Sequence, residues 1–150
     1  MKLKKIILAN DHGGYELKRE IVKYFKANGI EFEDSGCNSV ESCDYPEFAH
    51  RAAVLVDKEN MGIFICGSGN GINMSSNAHT HVRSALCWKE EIAKLARLHN
   101  DANIMCLPGR FITVEEGIKC VEAFITTEFE GGRHLKRVNK IKQTDGNYTD

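Results

Sequence analysis

The sequence lacks an excess of charge of either sign. Its 150 residues include 20 lysines and arginines against 21 aspartates and glutamates, which leaves a net charge of -1. Proteins that bind nucleic acid or anionic membranes through their overall field usually carry a large basic excess. We therefore expect neither partner, and any anion-binding site must be built locally.

Long apolar runs are also missing. The apolar segment 5–9 is shorter than the core of a signal peptide and is soon followed by Asp11. No stretch approaches the roughly 20 apolar residues of a membrane span. The hydrophobic fraction of 42% and the charged fraction of 27% are typical of a soluble globular protein. These features predict one cytoplasmic domain.

Paired cysteines are absent as well. The six cysteines are spread along the chain without a CxxC pair: Cys37, Cys43, Cys66, Cys87, Cys106 and Cys120. This spacing disfavours a zinc site or a thioredoxin-like motif. We expect neither a metal nor a cofactor. In a cytoplasmic chain the thiols should be free, and most should be small core residues.

Short apolar segments alternate with patterns of helical spacing. Strands are predicted near 5–9, 31–34, 61–66, 82–87 and 103–107, with a last long helix from Val114 to about Ile125. This alternation predicts a single-domain α/β fold: an open, Rossmann-like parallel sheet of about five strands with helices on both faces. We expect the domain to cover 1–141 with a C-terminal helical tail, and 142–150 to form a polar end.

Distinctive polar residues follow three of these strands. Asp11 and His12 follow the first, Cys66 begins a glycine-rich stretch after the central one, and Arg110 follows the last. In open α/β sheets, ligands bind outside the carboxyl ends of the strands. The sequence therefore predicts a site at this edge.

The stretch after the central strand has glycine at alternate positions, Gly67, Gly69 and Gly71. Glycines there allow positive φ and let successive N–H groups surround an anion or a developing oxyanion, although a tight strand-to-helix turn has the same pattern. Ile72 stands where a dinucleotide fingerprint needs glycine and a phosphatase loop needs arginine, so both are disfavoured.

Cys66 directly precedes these glycines. Thiol pKa values fall near helix N-termini, so this cysteine is a candidate base or nucleophile, with a buried structural cysteine as the alternative. Ser68 offers a hydroxyl in the same turn, and Asp11 either caps a helix or orients a substrate hydroxyl.

Three further residues have two interpretations each. His99 falls on the predicted apolar face of its helix and is either a core histidine or a general acid–base. Arg133 and Arg137 are spaced to share a helix face, where they either clamp a phosphate or belong to a solvated basic tail. The remaining histidines have no distinctive setting and are assigned no role: His50, His79, His81 and His134.

Taken together, these segments resemble the ribose-5-phosphate isomerase type B family of sugar-phosphate isomerases, which also includes galactose-6-phosphate isomerase subunits. The resemblance runs in family order to about residue 141. The matching stretches are 11–14, 44–46, 65–72, 99–103 and 131–134 with Arg137. Ser68 stands where threonine is more usual in that family.

The resemblance implies an aldose–ketose isomerase that interconverts ribose 5-phosphate and ribulose 5-phosphate through an enediolate. It implies that Cys66 moves the C2 proton, that His99 opens the sugar ring and that Ser68 helps to move a proton between O1 and O2. The substrate-binding residues that it implies are Asp11, His12, Tyr45, Gly67, Gly69, Asn70, Gly71, Asn100, Arg110, Arg133 and Arg137.

In this family the site lies between two subunits. The resemblance therefore implies a homodimer or a dimer of dimers, and we expect His99, Asn100 and Arg110 to come from the neighbouring copy. Two alternatives remain open at this point: an isomerase of a six-carbon sugar phosphate, such as allose or galactose 6-phosphate, and a non-catalytic sugar-phosphate sensor.

Overall fold

Five parallel strands form the centre of the molecule in the computed structural model, which describes residues 3–143. The strands lie in the order β2-β1-β3-β5-β4. Their bounds are β1 Lys5–Asn10, β2 Phe32–Asp34, β3 Asn60–Cys66, β4 Ser84–Leu86 and β5 Ile104–Pro108. The predicted open parallel sheet is confirmed. Most of the predicted polar end, 144–150, lies outside the described residues.

The three central strands are apolar along most of their length because helices cover both faces of the sheet. Leu8 of β1 pairs with Ile63 of β3, which pairs in turn with Met105 of β5, and all three side chains are buried. The two strands at the sides of the sheet, β2 and β4, are only three residues long, and their residues are half-buried or exposed.

Six helices flank the sheet. Their bounds are α1 Tyr15–Ala27, α2 Tyr45–Ala53, α3 Asn70–Asn77, α4 Glu90–Leu98, α5 Val114–Thr126 and α6 Arg133–Lys140. One face packs on α1, α4 and α5 through residues such as Phe25 and Phe124, and the other packs on α2 and α3 through Ala52 and Ile72. None of these helices, in residues 3–143, has the length and apolarity that crossing a membrane requires.

The buried side of α4 includes a charged residue. Leu95 is 37% exposed, whereas Arg97 is buried. The Arg97 guanidinium donates to the carbonyl of Ala102 at 2.6 Å and to that of Thr127 at 3.1 Å, and it pairs with Asp101 at 2.9 Å. These partners satisfy the buried charge.

The bounds of the long helix agree with the prediction from the sequence. A helix from Val114 to about Ile125 was predicted, and α5 spans Val114–Thr126. Helix α2 ends at Ala53, and Leu55, which follows it, is exposed.

Because the strands are parallel, the sheet has a carboxyl edge and an amino edge with different loops. Helix α4 begins after β4, so it returns the chain to the amino edge before β5 begins. Helix α5 makes the same return and leads to α6. The N–H of Glu130 donates to the carbonyl of Leu98 at 3.1 Å, which ties the ends of these two crossings together.

Candidate active site

Three loops meet at the carboxyl edge, as the sequence predicted. They follow β1, β3 and β5, which are neighbours in the sheet. The N–H of Arg110 donates to the carbonyl of Gly67 at 3.0 Å. A Cβ on Gly13 would lie 2.8 Å from the nitrogen of Gly67, so the first two loops are in close contact. The backbone therefore holds all three in fixed positions.

Cys66 is the last residue of β3 and is only 4% exposed. Burial raises the pKa of its thiol above the ordinary value. Hydrogen bonds from the N–H groups of Ile72, Gly69 and Gly71 act in the opposite direction, while the Asp11 carboxylate adds to the increase. The expected donors are present, but the expected lowering of the pKa was wrong because desolvation of the sulfur outweighs them.

The glycine-rich turn leaves no room for larger residues at two positions. Gly69 precedes α3 with a φ of 78°, and a Cβ there would lie 3.2 Å from the backbone of Leu107 and Pro108. A Cβ on Gly71 would lie 2.5 Å from Cζ of Tyr45. Tyr45 therefore covers the start of α3 directly.

The two polar side chains of this turn are exposed. The Oγ of Ser68 accepts a hydrogen bond from the N–H of Asn70 at 3.3 Å. Asn70 is the first residue of α3. Both side chains are accessible to a ligand above the turn.

Asp11 caps the short helical turn that follows β1. Its Oδ1 accepts hydrogen bonds from the N–H groups of Gly13 at 2.8 Å and Gly14 at 3.2 Å. The capping interpretation is therefore confirmed. These contacts use one of its two carboxylate oxygens.

His12 faces the segment that leads into α2. The N–H of Cys43 donates to Nδ1 of His12 at 3.2 Å, so the neutral ring carries its hydrogen on Nε2. A cleft of about 500 Å³ opens here, lined by Asp11, His12 and residues 43–47. Its volume is in the range of small-metabolite sites.

A slightly larger cavity, of about 560 Å³, lies at the amino edge. Residues near the starts of the strands line it, among them Asp57, Lys58 and Arg83, and none of the predicted site residues do. Arg83 is already paired with Asp101 at 3.1 Å. We therefore assign the candidate site to the carboxyl edge, where Cys66 lies near the Asp11 carboxylate and Asp11 and His12 line the same cleft.

The other predicted residues lie at the amino edge. His99 caps the end of α4, where its ring stacks on His134 with a centroid separation of 4.2 Å. Arg133 and Arg137 are exposed on α6, which begins next to His99. Asn100 is exposed in the loop that follows α4. The chain thus places the predicted residues in two groups at opposite edges of the sheet.

The division between the two groups differs from the expected one. Arg110 was expected to act with His99 and Asn100 from a neighbouring copy. Its backbone is instead bonded to Gly67 of the same chain, and its side chain lies beside that glycine. The amino-edge group therefore consists of His99, Asn100, Arg133 and Arg137.

The sequence interpretation missed one residue that supports the site. Lys18 is 2% exposed, and its Nζ donates to the carbonyl of Cys37 at 2.6 Å and to Oδ1 of Asn38 at 3.0 Å, and pairs with Asp34 at 2.9 Å. These contacts hold the loop after β2 against Asn10 at the end of β1. A spacing of three from Ile21 was the available signal, since it places Lys18 on the buried side of α1.

The chain is similar to proteins of one known family. A family model described as Ribose/Galactose Isomerase matches residues 6–141. The ribose-5-phosphate isomerase B of Escherichia coli K12 is 38% identical over 141 residues, which cover 93% of this chain and 95% of that protein.

Solved structures give the same result. The ribose 5-phosphate isomerase of Thermotoga maritima is similar with a TM-score of 0.89 and 42% identity, covering 93% of this chain and 98% of that one. The ribose-5-phosphate isomerase B of Mycoplasma genitalium, solved with bound ribulose 5-phosphate, has a TM-score of 0.88 and 40% identity, covering 93% and 94%.

Proposed function

Because the chain belongs to the Ribose/Galactose Isomerase family, we propose that this isomerase interconverts ribose 5-phosphate and ribulose 5-phosphate. The Escherichia coli relative carries the name of that activity, and the Mycoplasma genitalium relative binds ribulose 5-phosphate. The observation that carries the proposal is the position of Cys66, with its three N–H donors, near Asp11, a residue that lines the His12 cleft.

The Cys66 thiolate is the proposed base. It takes the hydrogen on C2 of the open-chain aldose, and the electron pair of that bond forms the C1–C2 double bond while O1 gains negative charge. The O2 proton then moves to O1, assisted by Ser68, and the proton from the thiol returns to C1. The carbonyl thereby moves from C1 to C2 without gain or loss of atoms.

The backbone donors support this transfer. In the free protein the N–H groups of Gly69, Gly71 and Ile72 face the sulfur. Negative charge leaves the sulfur for the sugar oxygens as the proton moves in the other direction, so donors in the 67–71 turn can stabilise each charge in succession. A raised thiol pKa also makes the thiolate a stronger base once it forms.

The remaining groups would bind the sugar. Asp11 and Asn70 would bind sugar oxygens, and Tyr45 lines the cleft. His12, through its ring N–H, and Arg110, through its guanidinium, would donate hydrogen bonds to the phosphate. Phosphate binding fixes the reacting carbons above Cys66 without taking part in the chemistry.

The amino-edge group requires a second copy of the chain. Because His99, Asn100, Arg133 and Arg137 lie across the sheet from Cys66, we infer that they act on the substrate bound at a partner's carboxyl edge. A two-fold homodimer would form two such sites, since each copy offers both edges. His99 then opens the sugar ring, and the two arginines complete the phosphate site.

An assay with ribose 5-phosphate, allose 6-phosphate and galactose 6-phosphate in parallel tests the substrate. We expect the highest kcat/KM with ribose 5-phosphate. A clear preference for galactose 6-phosphate, the other sugar in the description of the family, would replace the pentose proposal with the six-carbon one.

We further propose that the enzyme works in the cytoplasm. All six cysteines are free thiols, and two of them, Cys37 and Cys43, are partly exposed. Such thiols persist most readily in a reducing compartment.

A further inference from the structure

Three metal-ligating side chains meet at the amino edge, away from Cys66. They are His99, Glu130 and His134, here called the His–Glu cluster, and their ligand atoms all lie within 4.8 Å of one another. The Oε2 atom of Glu130 lies 3.8 Å from Nε2 of His99 and 3.7 Å from Nε2 of His134. These separations are longer than hydrogen bonds.

The buried member of the cluster has a nitrogen without a hydrogen bond. His134 is 6% exposed, and its Nε2 has no hydrogen-bond partner within residues 3–143. Buried polar atoms are nearly always paired, so this nitrogen indicates a ligand that the protein itself does not supply.

We propose that the His–Glu cluster binds a divalent cation of the zinc class through His99, Glu130 and His134. Two imidazoles and one carboxylate are a ligand set that suits Zn²⁺, with a fourth position left for water. A metal held at about 2.0–2.2 Å by each ligand places ligand atoms roughly 3–4 Å apart, which includes both observed separations.

The backbone holds the three ligands together before any ion arrives. The hydrogen bond from the N–H of Glu130 to Leu98 fixes the approach to α6 against the end of α4. Gly131 and Gly132, both with positive φ, then reverse the chain so that His134 returns over Glu130. The His99 and His134 rings are stacked with an interplanar angle of 14°. Both rings must turn out of this stack for their Nε2 lone pairs to meet at one ion near Glu130.

A bound ion would have a consequence for catalysis, and this step rests on the proposed function. A metal on Nε2 of His99 occupies the lone pair with which that ring would accept a proton. Zinc is therefore expected to inhibit turnover of the cyclic sugar by removing the ring-opening group, while leaving Cys66 unchanged.

Metal binding can be measured without substrate. The full chain, freed of metal by dialysis against a chelator, is titrated with Zn²⁺ in competition with a chromophoric chelator. We expect one ion per chain, and a loss of affinity of about tenfold or more in Glu130→Gln. Glu130 is exposed, so this variant should fold normally.

A second pair of histidines provides the matched control. Nδ1 of His50 lies 2.8 Å from Nε2 of His79 on another part of the surface. His50→Gln should bind the ion as tightly as the wild type. Failure of the wild type to bind zinc, equal affinity in Glu130→Gln, or loss of binding in His50→Gln would each overturn the site.

Activity measurements distinguish the proposed zinc site from the proposed isomerase function. In the wild type, zinc should reduce turnover of ribose 5-phosphate at the concentration that fills the site, and Glu130→Gln should need about tenfold more. A filled site with unchanged turnover would overturn the inhibitory consequence. A metal-free wild type without isomerase activity would contradict the proposed function, and the titration would still decide the site.

Discussion

At the scale of single residues, Cys66 combines burial with directed backbone donors. The sequence predicted its position beside a glycine turn because the motif is local. The direction of its pKa shift depends on how completely the surrounding loops exclude water, and those loops come from distant parts of the chain. The local sequence pattern therefore identified the Cys66 thiol as a candidate but not the direction of its pKa shift.

Replacing Cys66 by alanine should remove the proposed base with little change in binding. We expect Cys66→Ala to lower kcat by roughly a thousandfold, because general-base catalysis contributes about that much, while KM stays near the wild-type value. Steady-state kinetics with ribose 5-phosphate measure both quantities.

Cys120→Ala is the control for that variant, since Cys120 is a buried thiol on α5, outside the glycine turn. It should retain kcat. Wild-type turnover in Cys66→Ala would remove this thiol from the mechanism.

Substitutions at two glycines with similar φ values distinguish the effect of crowding from that of backbone strain. Gly69 has a φ of 78°, and a Cβ there would collide with the Leu86 side chain and lie 3.2 Å from the backbone of Leu107 and Pro108, whereas Gly131 has a φ of 71° and no neighbour within 4 Å of an added Cβ. We expect Gly69→Ala to lower the free energy of unfolding by about 3 kcal/mol and Gly131→Ala by about 1 kcal/mol. Urea denaturation measures both, and equal losses would contradict the role of the close contacts.

At the scale of elements, the interpretation of the sequence failed where charged residues are buried. The strands and the order of the helices followed from apolar spacing, which is a local property. Arg97 and Lys18 were not predicted to be buried, because their partners are carbonyls and carboxylates of other segments. Spacing alone shows which face of a helix is apolar, but not which charges the fold can satisfy.

Lys18 should stabilise the loop that follows β2. We expect Lys18→Met to lower the free energy of unfolding by about 2 kcal/mol, because the Cys37 carbonyl and the partly exposed Asp34 lose a charged donor. Lys23→Met, on the same helix, removes an exposed ion pair with Glu20 and should cost less than about 0.5 kcal/mol. Urea denaturation of the two variants compares the buried and exposed lysines directly.

At the scale of the whole molecule, the opposite placement of Cys66 and His99 predicts complementation. Cys66→Ala and His99→Asn should each be nearly inactive alone. After the two are mixed and their subunits exchanged, half of the dimers are mixed and each has one intact site, so about one quarter of wild-type activity should return. Activity assays before and after exchange measure this, and no recovery would indicate a site within one chain.

The same placement shows what a sequence leaves open about a site. Motifs identify residues that could take part in the same reaction. The ends of the predicted strands show which of those residues lie at the carboxyl edge of the sheet. His99 and the arginines lie on crossings whose end points depend on helix lengths and on the return of the chain. Their separation from Cys66 became visible only in three dimensions.

Buried thiols should make the fold sensitive to alkali. Burial raises the pKa of Cys87 from 9.0 to about 12 and that of Cys120 from 9.0 to about 11. The folded state therefore binds these protons more tightly than the unfolded state, so their contribution to stability is complete below about pH 9 and is lost as the pH rises through the folded values.

We expect the urea midpoint to fall between about pH 8 and about pH 10.5. The double variant with alanine at Cys87 and Cys120 should show a smaller fall over the same interval. An equally steep fall in that variant would assign the alkaline sensitivity to other groups.

The hydrogen bond from Cys43 to His12 has a consequence for the range of acidity in which the enzyme can work. A ring that keeps its hydrogen on the outward nitrogen can hold an oxyanion even when it carries no charge. In the proposed mechanism His12 can therefore hold the phosphoryl group without carrying a charge, which is compatible with a Cys66 thiol whose pKa is raised. One main-chain contact thereby gives the proposed phosphate ligand a donor that does not depend on ring charge.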